Sequence, residues 1–213
     1  MRHKIKKIFF LFFIIFLNLV FISDSNAFLG DKEEVVDAFN AYMKAALKND
    51  GGKVVSLISQ KTFDVYERFR KLAWNGSPQD LAGLNPYEKF TVLHLRHRLS
   101  KEELGRMTSR QILQKTYEQG WNSKKALELV GNLGISLKRE VKILGDRATL
   151  ELKLGEKFMP PPFPMKKENN GWKLDMVAMF PYLNEKLEKH ISAQGKPADE
   201  VISEMLKSIH QNP

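Results

Sequence analysis

The chain contains no cysteine. This excludes disulfide bridges, thiolate metal sites, a cysteine nucleophile and a lipid-bearing N-terminal cysteine. It also lacks a Gly-x-Ser-x-Gly elbow, a Walker loop and a glycine-rich dinucleotide fingerprint. Nothing in it therefore points to a serine hydrolase, a nucleotide or a nicotinamide cofactor, and no cofactor is expected. Internal repeats and low-complexity linkers are absent as well. Its 213 residues suit one domain with a real core, and 43 % hydrophobic against 28 % charged residues fits a globular chain.

Long apolar runs are scarce too. The one that stands out covers residues 8–22, with Asn18 its single polar residue, and six of the 14 phenylalanines fall within residues 1–27. Arg2, Lys4, Lys6 and Lys7 precede it, and Ser25-Asn26-Ala27 follows it. A basic head, an apolar stretch and a small-residue exit predict a secretory signal peptide over 1–27, cleaved between Ala27 and Phe28. The run is short for a membrane span. No later stretch approaches a span, so residues 28–213 are expected to form one periplasmic or secreted α+β domain. The leader holds four basic residues and one acidic residue, so the net charge falls from +9 to +6 without it. The remaining basic residues are scattered among acidic ones and read as a solvated surface. No nucleic-acid module is visible, and none is expected as partner.

The mature part opens with helical periodicity. Asp31 and Glu34 have capping-box spacing, and Val35, Phe39, Tyr42 and Ala46 follow on one face. Asn49-Asp50-Gly51-Gly52 stops that helix. Val54, Ile58, Val65, Phe69 and Leu72 predict one long helix or two short ones up to Trp74. A helical block then fills about 78–133, with Pro86 at a first-turn position, Ser100-x-x-Glu103 and Thr108-x-x-Gln111 as capping boxes, and Gly120 as a stop.

From Gly134 the period becomes two. Ile135, Leu137, Val141 and Ile143 alternate, Gly145-Asp146 turns, and Ala148, Leu150, Leu152 and Leu154 alternate back. Pairing Leu144 with Arg147 makes one face apolar throughout except at Arg139, which falls opposite Leu152. Asn170-Gly171 predicts another hairpin, with Asn169 opposite Trp172, Glu168 opposite Lys173 and Lys166 opposite Asp175. Its other face collects Phe163, Met165, Trp172, Leu174, Met176 and Ala178. The run 159–164, Met-Pro-Pro-Pro-Phe-Pro, reads as a stiff connector to an edge strand. The sheet spans about 134–179, and amphipathic helices over about 182–210 finish the chain.

Helices first, then antiparallel hairpins ending in Asn170-Gly171-Trp172-Lys173-Leu174-Asp175-Met176, resemble the NTF2-like superfamily, here as an exported bacterial member. The similar parts are roughly 31–74 and 134–179; the block 78–133 and the helices after Phe180 depart from the pattern. The resemblance implies helices packed on a curved antiparallel sheet of at least four strands, a cone with an apolar pocket. No catalytic motif of an enzyme member matches, so no catalytic residue is carried over.

His94 and His97 share a helix face with Arg96 and Arg98 beside them, but no third ligand is indicated and no metal site is expected. Asp175 reads as half of an exposed cross-strand pair. Arg139 has two readings: a stem on the apolar face with its head in water or paired, or the one group in an open pocket able to bind an anion. Arg139 and Trp172 are the candidate ligand-binding residues. The expected function is a non-enzymatic envelope protein that binds an apolar or anionic small molecule, or an envelope protein. The alternatives are a small acid–base enzyme of isomerase or dehydratase type, and an accessory subunit docking through its helical insertion.

Overall fold

The computed structural model describes residues 30–121 and 137–211. Over that range the chain is α+β, with a four-stranded antiparallel sheet in the order β1-β2-β3-β4. Helix α1 covers 30–47 and buries Val35, Phe39, Tyr42 and Ala46, the predicted face. It is already helical at Gly30, so Asp31 lies within the helix rather than at its cap, and its carboxylate pairs with Lys167 on the sheet. The ambiguous stretch after it is two helices, α2 (Gly51–Ser56) and α3 (Gln60–Asn75). The signal sequence, its cleavage site at Ala27–Phe28 and the first alternating residues at Gly134 and Ile135 lie outside the described residues.

Four short helices follow: α4 (Pro78–Ala82), α5 (Pro86–Arg98), α6 (Lys101–Arg106) and α7 (Ser109–Glu118). Each begins with a reciprocal capping box, Ser77 with Asp80, Asn85 with Glu88, Ser100 with Glu103, and Thr108 with Gln111. In each, side chain and backbone satisfy one another's first-turn donors, so the helix starts are set locally.

Strands β1 (Leu137–Leu144) and β2 (Arg147–Leu154) pair in the predicted register, Leu144 with Arg147 and Arg139 with Leu152. Two predictions fail beyond them. The proline run is not a connector but part of β3 (Lys157–Glu168), a long strand that returns from a Gly155-Glu156 turn to pair with β2. Pro160, Pro161 and Pro162 sit where the register shifts between Leu150 and Leu152, a bulge that needs fewer donors. The second correction is to the last hairpin. Glu168 pairs with Gly171 and Lys166 with Lys173, so the loop is Asn169-Asn170 and β4 is only Gly171–Leu174. Gly171, at φ 106°, supplies the turn backbone from the first strand position instead of from within the loop. A two-residue shift preserves facing, so Met165, Trp172 and Leu174 are buried together as predicted, but the charge pairs dissolve. Lys166 pairs with Asp146, and Asp175 leaves the strand to begin a 3-10 turn, Met176–Met179. Helices α8 (Phe180–Gln194) and α9 (Ala198–Gln211) complete the chain.

The apolar sheet face is covered. Leu150, Leu152, Met165, Trp172 and Leu174 join α1 and α3 side chains in one core, where the Phe39 and Phe163 rings lie 4.7 Å apart. The far edge of β4 is met by the α2–α3 link, with Ser59 N donating to Leu174 O and Leu174 N to Leu57 O. Among the described residues no helix is long and apolar enough to cross a membrane.

Four of the basic residues meet helix ends. Arg110 donates to Val55 O at 3.0 Å and Lys173 to Ser56 O at 2.5 Å, both at the C-terminus of α2. Arg96 donates to Leu72 O and Ala73 O at the end of α3, and Arg70 reaches Leu104 O in α6. Conversely, the Glu168 carboxylate accepts from Gln60 N at the start of α3. Cations at carbonyl ends and a carboxylate at an amide end follow the helix dipole. These four positive charges are therefore engaged within the fold.

Candidate functional site

Helix α5 carries Tyr87, Phe90, Thr91, His94, Leu95 and Arg98 at spacings of three and four. Such spacing puts them along one side of the helix. That side looks across a cavity of about 400 Å³ towards Tyr66 on α3, Thr116 on α7, Trp121 just beyond it, and Leu183 on α8. Phe180 braces the floor, its ring 4.9 Å from Tyr87, 6.0 Å from Phe69 and 6.5 Å from Tyr66.

The polar groups of this cavity engage one another. The Tyr66 and Tyr87 phenols couple electrostatically, and Thr91 donates to Tyr87 O at 2.8 Å. Arg98 Nε donates to His94 Nε2 at 3.3 Å, which requires that nitrogen to carry the lone pair. The Arg98 guanidinium lies 5.5 Å above the Trp121 ring, and His94 stands between Phe90 and Trp121 at 5.8 and 6.4 Å. His94 is thus half-buried among rings, whereas His97 is exposed, so the solvated basic face expected for the pair holds for His97 alone. Among the described residues no group of three or more His, Cys, Asp or Glu could hold a metal ion.

Behind the cavity, Tyr42 and Tyr117 share a hydroxyl hydrogen bond of 2.8 Å. Burial raises the pKa of all four phenols, Tyr87 to about 12 and Tyr66 and Tyr117 well above the usual 10.0. A group whose folded pKa is raised contributes stability that is complete below its unfolded pKa and lost as pH rises above it. The melting temperature should therefore hold to about pH 10 and then fall steeply, with the tyrosinate absorbance of these four residues appearing only as the fold is lost. A Tyr42→Phe/Tyr117→Phe double variant should fall less steeply. Ionisation of Tyr42, Tyr66, Tyr87 or Tyr117 at ordinary pH in the intact fold would overturn this.

The sequence-predicted site residues lie elsewhere. Arg139 is exposed on the edge strand β1, in an open groove of about 660 Å³ against α1. Lys32, Glu33, Asp37, Glu140 and Lys142 share that groove, so it carries both signs of charge. Trp172 is 3 % exposed in the core with Lys167 Nζ 5.6 Å above its ring. Its Nε1 finds no hydrogen-bond partner among the described residues, nor does the buried Oδ1 of half-buried Asp175. Asp175 borders a small third cavity of about 280 Å³ with Arg147 and Thr149. The α5 pocket was not read from the sequence. Its signal was present as the i, i+3, i+4, i+7 spacing from Tyr87 to Arg98, but the helix is polar and apolar by turns and shows no clean face. Compared with family models, with curated proteins and with solved structures, the chain matched none.

Proposed function

We propose that this is an exported, ligand-binding module of the cell envelope, which holds a small molecule with an apolar body in the α5 pocket and does not transform it. The observation that carries the reading is a cavity of about 400 Å³ walled by aromatic rings, with the His94 imidazole bonded to Arg98 in its wall. Small-molecule sites are of this size and character, mostly apolar with a few oriented polar groups. Export rests on the leader pattern of residues 1–27. The finer architecture is proposed to be an NTF2-like cone, supported by the helices-then-meander order and by a sheet face packed on α1 and α3. On this reading the cone interior is occupied by Phe39, Phe163 and Trp172, and the ligand space lies on the helical side.

Isothermal titration with naphthalene-2-carboxamide, a neutral planar probe, tests the site. The wild-type protein should bind it, Leu183→Trp should weaken it by about tenfold or more by filling the wall, and Arg139→Ala should leave it unchanged. The probe should be recovered chemically intact. Binding that survives Leu183→Trp and disappears with Arg139→Ala would move the function to the α1–β1 groove.

A further inference from the structure

We propose a second site, independent of the α5 pocket: the outer face of the sheet holds a small apolar amino acid, its carboxylate at Arg147 and its ammonium at Asp175. Arg147 and Thr149 are two residues apart on β2, so both stand on the face opposite buried Ala148 and Leu150. Thr149 pairs with Pro164 on β3, and Asp175 N donates to Pro164 O at 2.9 Å just beyond β4. Arg147, Thr149 and Asp175 border one cavity of about 280 Å³, with Pro162, Pro164 and Ala178 among its apolar lining. A molecule of amino-acid size fits such a space.

Neither charge has an ion-pair partner among the described residues. Arg147, Lys166 and Lys173 stand opposite one another across β2, β3 and β4. Lys166 pairs with Asp146 and Lys173 donates to Ser56 O, whereas Arg147 is exposed. Arg147 also bears on Asp146, whose carboxylate Lys166 already holds. Like charges across a sheet repel, so an anion at Arg147 relieves the row. Asp175 is the converse case. It occupies the N-cap of the 3-10 turn, yet its side chain makes no capping bond and its buried Oδ1 has no hydrogen-bond partner. A carboxylate spreads its charge over both oxygens, so a cation on its open side offsets what the buried oxygen lacks.

Arg147 and Asp175 border the same cavity without pairing with each other. A lone anion there sits beside Asp175, and a lone cation beside Arg147. A zwitterion meets both charges favourably, its carboxylate matched by the guanidinium fork. Prolines bring no backbone N–H to the wall, so the remainder of the ligand is small and apolar.

L-Valine, isovalerate and isobutylamine share a branched skeleton and carry, in turn, both charges, the carboxylate alone and the ammonium alone. NMR titration of the protein with each, at neutral pH and low ionic strength, reads their affinities. Valine should bind about tenfold more tightly than either fragment, since each lacks one charge-assisted contact. Arg147→Gln should weaken valine about tenfold and leave isobutylamine no weaker. Asp175→Asn should weaken valine by a similar factor and leave isovalerate no weaker. Arg147 is exposed, so its variant keeps the test decisive if Asp175→Asn does not fold. Equal binding of the three probes, or no binding of valine at about 20 mM, overturns the site. Valine affinity that either variant leaves unchanged overturns it as well, and so does loss of valine binding through Leu183→Trp, which would place the amino acid in the α5 pocket.

Discussion

Gly51→Ala should cost about 3 kcal/mol and lower the melting temperature by roughly 6–12 °C. Gly51 opens α2 and is buried against α7. A Cβ built there would stand 2.3 Å from Gln114 O and 2.8 Å from Glu118 Cγ. The first contact is with backbone, which cannot rotate aside, so α2 must retreat from α7 or the helix must fray. Gly52→Ala is the control. Its Cβ meets nothing nearer than Asp50 Oδ1 at 3.8 Å, so the gain in helix propensity should stabilise by about 0.5–1 kcal/mol. Urea and thermal melts of the two variants should move in opposite directions. Similar effects from both would show that the α2–α7 approach is not close.

Arg96→Met should lose about 3 kcal/mol. The guanidinium donates to Leu72 O at 2.8 Å, to Ala73 O at 3.0 Å and to Gly76 O, all at the C-terminus of α3. Methionine keeps much of the apolar stem and removes the donors, leaving partly buried carbonyls without their charged partner. Lysine can reach one carbonyl with a single ammonium, so Arg96→Lys should recover less than half of the loss. Arg68 is the comparison, since it pairs with Glu88 at the surface and is half exposed. Arg68→Met should cost less than about 1 kcal/mol and be sensitive to salt. Denaturant titration of the three variants decides the matter. A loss at Arg96 no larger than at Arg68 would mean that the helix-end bonds carry no weight.

Several elements were legible in the sequence because their causes are local. The capping boxes at Ser100 and Thr108 need only residues three apart, and both formed. The β1–β2 register follows from a tight turn and an alternation that a one-residue slip would invert, and every predicted pair held. The last hairpin shows where this logic ends. Asn170-Gly171 is a strong turn signal, yet a two-residue shift keeps Met165, Trp172 and Leu174 on the same face, so alternation could not choose between registers. Pairing of Glu168 with Lys173 looked favourable in isolation. In the fold, Glu168 meets the start of α3 and Lys173 the end of α2, 117 residues from its partner Ser56.

By itself, then, the sequence determined the α+β class, the helix starts at Ser100 and Thr108, the first hairpin, and the buried faces of α1 and of the sheet. These depend on periodicity and on bonds spanning a few residues. Only the tertiary structure decided that the apolar sheet face is covered by α1 and α3, that Arg70, Arg96, Arg110 and Lys173 meet helix ends, and that a pocket opens on α5. Tyr66, Arg98, Trp121 and Leu183 come from separate parts of the chain and share a wall only after α3, α5 and α8 have packed. Cavities and long-range charge partners are properties of how faces meet, and periodicity says which face is buried without saying against what.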